Sequence, residues 1–542
     1  MADRQRDNFA YDRLPPKELW PELIFDLPEL DYPAKLNCAV ALLDDMIAAG
    51  AGDRACFISD DAVWTYVEVL ERVGRISNVL KARGIGPGSR VLLRGPNNPM
   101  MMACWLAVER VGAIAVATMP LLRARELAVV MEQAEINLAL CDYRLCEELR
   151  LAGEIATSDV SILVFGEEQG DLERAMREAS PVSSPADTAA DDIALIAFTS
   201  GSTGKPKGCI HFHRDVLAIA DTFSKHVLKP VADDIFCGSP PIAFTFGLGG
   251  LLIFPMRVGA ATVLTEVASP ETLLKAIERH KVTVCFTAPT AYRAMLGLAD
   301  KYDMSSLRRC VSAGEPLPLQ TRLDFKSATG IDLIDGIGGT EMLHIFISAA
   351  DDAIRPGATG RPVPGFRAAI LDEDGKELPP GSIGRLAVKG PLGCRYLDDP
   401  RQTTYVQHGW NLTGDTYLMD QEGYFWFQAR SDDMIISAGY NISGPEVEDV
   451  LLEHRAIREC AVVASPDAAR GFVAKAFVVL QPDVEGDESL ASELQNFVKA
   501  RIAPYKYPRA IAFVEGLPRT ESGKLQRFRL RQEELQRNGR GV

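Results

Sequence analysis

Short, strongly apolar runs alternating with segments of helical periodicity constrain this 542-residue chain more than any other feature. Arg90-Val91-Leu92-Leu93, residues 112–117, Ala139-Leu140-Cys141 and Ile162-Leu163-Val164-Phe165 each read as a strand. Between them lie helical stretches. Thr65-x-x-Glu68 is a capping box, and Val69, Leu70, Val73, Ile76 and Leu80 recur behind it at helical spacing. That helix stops near Arg83, at Gly84-Ile85-Gly86-Pro87-Gly88, and residues 35–49 and 100–111 are helical too. A second series follows: strand 260–264, helix 270–281, strand 282–286. Such alternation predicts an α/β fold built on parallel sheets. Residues 181–187, Pro-Val-Ser-Ser-Pro-Ala-Asp, read as a linker between the two series. From about Arg355 the texture changes to Gly/Pro-rich turns and short strands, with a turn at Asp374-Gly375, which predicts an antiparallel, barrel-like piece. Beyond Arg430 a compact α+β unit is expected, with helices at 446–453 and 490–501 and strands at 460–464, 474–480 and 510–514.

The second informative feature is residues 199–208, Thr-Ser-Gly-Ser-Thr-Gly-Lys-Pro-Lys-Gly, which follow the apolar run Ile193-Ala194-Leu195-Ile196-Ala197-Phe198. Glycines let backbone N–H groups approach a ligand closely, hydroxyls add donors, and two lysines without an acid add positive charge. All three suit a polyphosphate. The loop is not a Walker P-loop: five residues on from Gly201 stands Pro206, and Gly204-Lys205 is followed by Pro206 instead of Ser or Thr.

Composition excludes several classes. Apolar residues at 47% support a packed core, and a net charge of −16 argues against a nucleic-acid partner. Charge is uneven, with ten Lys/Arg against four Asp/Glu from Arg501 onward, and residues 528–541 read as a solvated basic tail. Eleven scattered cysteines without a C-x-x-C fit reduced thiols of a cytoplasmic protein, with no metal-ligand spacing. The N-terminal residues lack the apolar core of a signal peptide. Residues 239–256 are uncharged, but their three prolines and three glycines predict buried strand, turn and helix and not a membrane span.

Further signatures follow the Gly-rich loop in order: Ser312-Ala313-Gly314-Glu315-Pro316, Asp335-Gly336-Ile337-Gly338-Gly339-Thr340-Glu341, Thr413-Gly414-Asp415, Arg430-Ser431-Asp432, Gly439-Tyr440-Asn441 and Pro518-Arg519-Thr520-Glu521-Ser522-Gly523-Lys524. This ordered set resembles the adenylate-forming superfamily of acyl- and aryl-CoA ligases, luciferases and peptide-synthetase adenylation domains. The resemblance spans nearly the whole chain. It implies a large N-terminal domain (1–431) of two α/β subdomains plus a small β-barrel, and a mobile α+β C-terminal domain (432–542). It also implies a two-step reaction. A carboxylate attacks the α-phosphate of ATP to give acyl-AMP and pyrophosphate, then the thiol of coenzyme A displaces AMP.

Carried over by matching motifs, the resemblance implies that Ser200, Gly201, Ser202, Thr203 and Lys207, with Thr199, cradle the β- and γ-phosphates. Thr340 and Glu341 match the α-phosphate and Mg²⁺ contacts; a carboxylate with phosphate oxygens is a donor set that Mg²⁺ favours. Gly314, Glu315, Pro316, Asp335, Gly336, Ile337 and Gly338 resemble the adenine pocket. Asp415, Phe427 and Arg430 resemble the ribose side. Lys524 matches the lysine of the adenylation step, and Asp432 the hinge about which the small domain rotates. Gly439, Tyr440, Arg470 and Lys506 match the coenzyme A side.

For the acid, the informative segment is Pro-Ile-Ala-Phe-Thr-Phe-Gly-Leu-Gly-Gly at 241–250, faced by Gly338 and Met342-Leu343-His344-Ile345. Both pieces resemble CoA ligases of the benzoate and 2-aminobenzoate type. Phe244, Thr245, Phe246, Ala313, Gly338, His344 and Ile345 are then the acid-binding residues. Phe246 would stack on a ring, Thr245 would meet an ortho amino group, and His344 would bond the carboxylate. Residues 435–440, Ile-Ile-Ser-Ala-Gly-Tyr, lack the lysine many benzoate ligases place near Ile436 and look more like medium-chain fatty acyl ligases. A stand-alone adenylation domain loading a carrier protein is the other reading, weakened because no carrier domain follows Val542; a non-enzymatic nucleotide-binding protein conflicts with Lys524, Glu341 and Asp415. Partners are expected to be the acid, ATP and coenzyme A, with no membrane, in a monomer or homodimer.

Overall fold

The computed structural model describes residues 7–156, 160–167, 170–199, 206–314, 317, 319–430, 434–518 and 527–537. Two mainly parallel sheets dominate it. The first has six strands in the order Ser161–Phe165, Leu138–Asp142, Arg90–Arg94, Ile114–Thr118, Ile193–Thr199 and Lys207–Phe212. All its pairs are parallel except the last, where the chain leaves Thr199 and returns antiparallel from Lys207. The second has nine strands, parallel from Ile334–Gly338 through Arg309–Ser312, Val284–Thr287, Ile235–Gly238 and Ala261–Val263 to Ala55–Ile58, with antiparallel strands at both edges. Full burial of strands such as Arg90–Arg94 and Val284–Thr287 explains their unbroken apolar character.

Helix Tyr66–Ala82 carries the expected capping box: Thr65 accepts from the Glu68 N–H, and Glu68 Oε2 accepts from the Thr65 N–H. Its buried face packs between the two sheets' layers with helix Pro99–Arg110. The stretch 181–187 is not a free linker. A Cβ on Gly74 would lie 1.7 Å from the Pro181 carbonyl oxygen, so the glycine admits the strap onto the helix. Asn78, Lys81 and Arg110 then satisfy the carbonyls of Ser180, Val182, Ser183 and Ser184. Polar, Pro-rich composition marks the absence of regular structure here, not the absence of contacts.

The Gly/Pro-rich region forms a five-stranded antiparallel sheet from Arg367–Leu371, Ile383–Lys389, Val406–Gln407, Trp410–Met419 and Phe425–Arg430. Beyond it come the hairpin Met434–Ser437/Tyr440–Ser443 and helix Gly444–Leu452. They pack on a three-stranded sheet of Ile457–Asp467, Gly471–Leu480 and Ala510–Phe513, with helix Glu488–Lys499. The stretch read as a solvated tail instead contains helix Arg527–Arg537. Leu530 buries against Ala461, Val463 and Phe477, and Glu534 accepts from Ser465 and from Lys475 at 2.6 and 2.7 Å. Dense positive charge concealed a face that turns Leu530 and Glu534 inward. All eleven cysteines are buried and unbridged, and among the described residues no helix is long and apolar enough to cross a membrane.

Candidate active site

A cavity of about 630 Å³ opens where the strands of both sheets end. Its walls include Ala117 and Thr118, Thr199, Ser239, Thr287, Ala313 and Gly338, each at or just past the carboxyl end of a parallel strand. Open α/β sheets bind ligands at that edge, because the loops that leave the strands converge there. The C-terminal unit closes the opposite side with Ala438, Gly439, Tyr440, Arg470, Tyr505 and Lys506.

The apolar end is built by the 241–254 segment. Helix Thr245–Leu248 continues through a π-helical turn, Gly249–Ile253. The glycines have steric reasons: a Cβ on Gly247 would meet the Pro241 carbonyl at 2.2 Å, one on Gly249 would meet His344 Cδ2 at 2.4 Å, and one on Gly250 would meet the Phe286 ring at 2.6 Å. His344 follows Leu343, whose left-handed φ of 56° turns the chain out of the Thr340–Met342 turn. Its ring lies among Phe223, Phe246, Phe254 and Phe286, with centroids 4.6 to 6.4 Å away. Burial drives its pKa down to about 3, so the imidazole is neutral, and neither ring nitrogen has a hydrogen-bond partner. Phe244, Thr245, Phe246, Ala313, Gly338, His344 and Ile345 all line the cavity.

A polar cluster adjoins the cavity wall at Pro206 and Thr340, formed by Lys207, Glu341 and Tyr396, which do not line the cavity themselves. Lys207 Nζ donates to Tyr396 Oη at 2.9 Å, and Tyr396 Oη donates to Glu341 Oε1. The direct Lys207–Glu341 separation is 3.6 Å. Behind them His211 Nε2 donates to the Thr340 carbonyl at 2.8 Å. Burial opposes charge on His211, but Cys209 and Asp215 outweigh it and push its pKa up to about 9. Burial likewise opposes Asp215, whose pKa Arg395 and His211 nonetheless hold down at about 2. Burial pushes Asp335 up to about 7, against Arg322 and the Gly336 N–H.

Of the nucleotide set, Thr199, Gly314, Gly338 and Thr340 reach the cavity wall. Asp335, Gly336, Ile337, Asp415 and Phe427 are not among its lining residues; Asp415 pairs with Arg430 across two strands, and Tyr417 with Phe427. Ser200, Gly201, Ser202, Thr203, Glu315, Pro316, Asp432 and Lys524 lie outside the described residues, as does the side chain of Arg430.

On the C-terminal side the hairpin turns at Ala438 and Gly439, with φ of 49° and 81°, the signature of a type I′ turn. Its tip reaches Gly314, where a Cβ would stand 3.7 Å from the Gly439 carbonyl. Tyr440 stacks on Tyr505 at 4.4 Å and faces Phe244 at 6.5 Å. Lys506 is not an open cation. Its ammonium is 2.5 Å from Glu126 and 2.8 Å from Glu446, and Glu126 also accepts from the Ala503 N–H at 3.0 Å. Glu126 belongs to helix Ala124–Ala134 of the first sheet's layer, so this buried cluster ties the C-terminal unit to the rest. Sequence reasoning missed Glu126, Glu446, Tyr505, Tyr396 and His211; each stands alone in its local sequence, without a spacing signal. It also missed a buried grouping of Cys38, Glu109 and His213, all within 4.8 Å, where burial drives the Glu109 and Cys38 pKa values up and favours neutral, hydrogen-bonded side chains.

The chain belongs to the AMP-binding enzyme family, which matches residues 45–395; the AMP-binding enzyme C-terminal domain matches residues 446–524. Within that family it is an acid–thiol ligase of the AMP-forming acyl-/aryl-CoA synthetase type, using ATP, coenzyme A and a carboxylic acid. It is 34% identical to benzoate–CoA ligase of Thauera aromatica over 512 residues, 93% of this chain and 97% of that one. It is also 34% identical to the mitochondrial acyl-coenzyme A synthetase ACSM3 of Rattus norvegicus, over 87% of this chain and 84% of that one. Among solved structures, the anthranilate CoA ligase AuaEII in complex with anthranoyl-AMP aligns at 33% identity with a TM-score of 0.73, covering 95% of this chain and all of that one.

Proposed function

We propose that the acid is aromatic, of benzoate or 2-aminobenzoate type, and that residues 1–431 carry the nucleotide and acid sites while 432–542 reorient between the half-reactions. The observation that carries the aromatic reading is the apolar end of the cavity, walled by Phe244, Phe246 and His344, with Phe223, Phe254 and Phe286 packed around the imidazole outside the lining. A planar ring gains offset or edge contacts there worth about 0.5–1.5 kcal/mol each beyond area burial. The neutral imidazole brings hydrogen-bonding nitrogens without the charge that such a site could not hold, and Thr245 adds a hydroxyl beside it.

In the first half-reaction the carboxylate oxygen bonds to the α-phosphorus, and the bond from that phosphorus to the bridging oxygen of pyrophosphate breaks. Positioning and charge compensation govern such transfers, and Lys207, Thr340 and Glu341 are the residues assigned to both here. Glu341 is one carboxylate beside a cavity open to phosphate oxygens, a donor set that fits Mg²⁺. Bound there, the ion would supply charge neutralisation on the phosphates. The Gly-rich loop then holds the leaving pyrophosphate, and Lys524 belongs to this step. In the second half-reaction the thiol adds to the acyl carbon and AMP leaves, with the Gly439–Tyr440 tip lining the thiol's approach. A medium-chain acid is the alternative, favoured by the likeness to ACSM3 and by Ile436 in place of a lysine.

The test is AMP release with ATP, Mg²⁺, coenzyme A and a panel of acids. Benzoate or 2-aminobenzoate should exceed hexanoate and octanoate in kcat/KM by about tenfold or more, 1.4 kcal/mol of transition-state preference. The reverse order refutes the aromatic reading.

A further inference from the structure

Lys207 and Glu341 face each other in a buried setting, where opposite charges would ordinarily close into contact. They form a loose ion pair at 3.6 Å, and the hydroxyl of Tyr396 bridges it from the side, accepting from Lys207 Nζ and donating to Glu341 Oε1. Tyr396 has no exposed surface. It sits in a short extended segment stitched to the strand that begins at Lys207: Leu397 N–H donates to the Gly208 carbonyl and Ile210 N–H to the Arg395 carbonyl, both at 2.8 Å. On the other side the Gln402 amide brackets the segment, accepting from the Tyr396 N–H at 2.9 Å and donating to the Cys394 carbonyl at 3.1 Å. The ring is fixed edge-on against Tyr405, and Lys207 Nζ rides 4.8 Å above it. Neither hydroxyl nor ring has another place to go.

Neighbouring residues of an extended segment point to opposite faces. Here the adjacent Arg395 pairs with Asp215 at 2.8 Å, and Asp215 stands 3.7 Å from His211, which donates to the Thr340 carbonyl. Two successive side chains thus brace both halves of the Thr340–Glu341 turn, one through its backbone and one through its carboxylate.

We infer that Tyr396 is a positioning residue of the ATP half-reaction, its hydroxyl bridging Lys207 Nζ and Glu341 Oε1 and fixing where both lie, so that both charges are presented to a nucleotide polyphosphate and its cation. The inference rests on the ATP-using reading of this site. Without the hydroxyl the loose pair is free to shorten into a direct hydrogen bond, which shifts both groups.

The experiment compares wild type and Tyr396→Phe, which keeps the ring. ATP binding is followed by titration calorimetry with and without Mg²⁺, beside pyrophosphate exchange and thioester formation from preformed acyl-AMP. Loss of one hydrogen bond to a charged group should weaken ATP binding about tenfold in both conditions and raise the KM for MgATP to match, leaving the thioester step within about twofold. Lys207→Ala and the double variant complete a cycle: Tyr396→Phe should cost little more once Lys207 is gone. Unchanged ATP affinity, equal losses in both half-reactions, or additive effects in the cycle would each overturn the inference. Failure of wild type to bind ATP would instead overturn the reading on which it rests. If the variant loses thermal stability, His211→Gln, with Tyr396 intact and the turn's backbone brace weakened, must not reproduce the metal-free ATP defect; reproducing it assigns the effect to loosening of the turn and overturns the role of the hydroxyl.

Discussion

Lys506→Met isolates what the cluster between the two units does. The ammonium is 5% exposed and lies 2.5 Å from Glu126 and 2.8 Å from Glu446, whose side chains are 8% and 14% exposed. Burial works against its charge, and Glu126, Tyr505 and Glu446 outweigh it. Removing one partner of a buried ion pair costs roughly 3–5 kcal/mol, because the remaining charge is left uncompensated. Here two carboxylates remain, and the cost falls as one of them takes up a proton; burial already raises Glu446 to about 7. A loss of about 2–3 kcal/mol in the docked arrangement follows, roughly 30- to 150-fold. That arrangement presents Gly439 and Tyr440 to the cavity. Thioester formation from preformed acyl-AMP should therefore fall by that factor, while pyrophosphate exchange stays within about twofold. Pantetheine, which lacks the nucleotide phosphates, should lose as much as coenzyme A. Equal losses in both half-reactions refute the docking argument. A loss confined to coenzyme A refutes it in favour of a direct phosphate contact by Lys506.

Three further outcomes are expected. His344 is held at about 3 by burial, below its ordinary value near 6.5, so the unfolded chain binds the extra proton first. Stability should fall as pH drops from about 6.5 toward 3, by up to about 4 kcal/mol, and His344→Gln should flatten that limb of a Tm-versus-pH curve. Gly249→Ala places a Cβ 2.4 Å from His344 Cδ2; over-packing of this kind costs about 1–3 kcal/mol, so the KM for the acid should rise at least about fivefold with the KM for ATP unchanged. Lys524→Ala should slow adenylation about 10²–10³-fold, by analogy with removing an oxyanion donor, and spare thioester formation from acyl-AMP. Single-turnover assays of the two steps check it.

What was legible in the sequence was local. Runs such as Arg90-Val91-Leu92-Leu93 are strands because strands buried on both faces need continuous apolar side chains, and the Thr65/Glu68 box marks its helix because both partners lie within one turn. The acid pocket was partly legible because Thr245, Phe246 and His344 fall in two compact motifs. The Lys506 cluster was not: Glu126 and Glu446 are 380 and 60 residues away from it along the chain. Nor was Tyr396, held in place by Gln402 accepting from its N–H and by the bonds of Leu397 and Arg395 to the strand beginning at Lys207. The strap at 181–187 and the helix at 527–537 misled for a related reason. Composition reports how polar a segment is, and both segments satisfy their polarity against partners that only the fold supplies.

The same cluster limits where coenzyme A can lie. One ammonium faces two carboxylates, so the Lys506 wall is net negative when both acids are ionised and neutral when Glu446 holds a proton. In neither state does it attract an anion. The wall beside it is Tyr440, Tyr505 and Met119, largely apolar surface with hydroxyls at its edges. Such a lining suits the uncharged pantetheine arm, whose amides need a few polar partners and whose chain buries apolar surface. A coenzyme A bound here is expected to place its phosphates toward Arg470, which lines the cavity from the turn between Ile457–Asp467 and Gly471–Leu480 and whose guanidinium can bind phosphate in bidentate fashion. The sequence put Arg470 and Lys506 together on the coenzyme A side. Both line the cavity, but the charge of Lys506 is engaged by Glu126 and Glu446, which join the C-terminal unit to the rest.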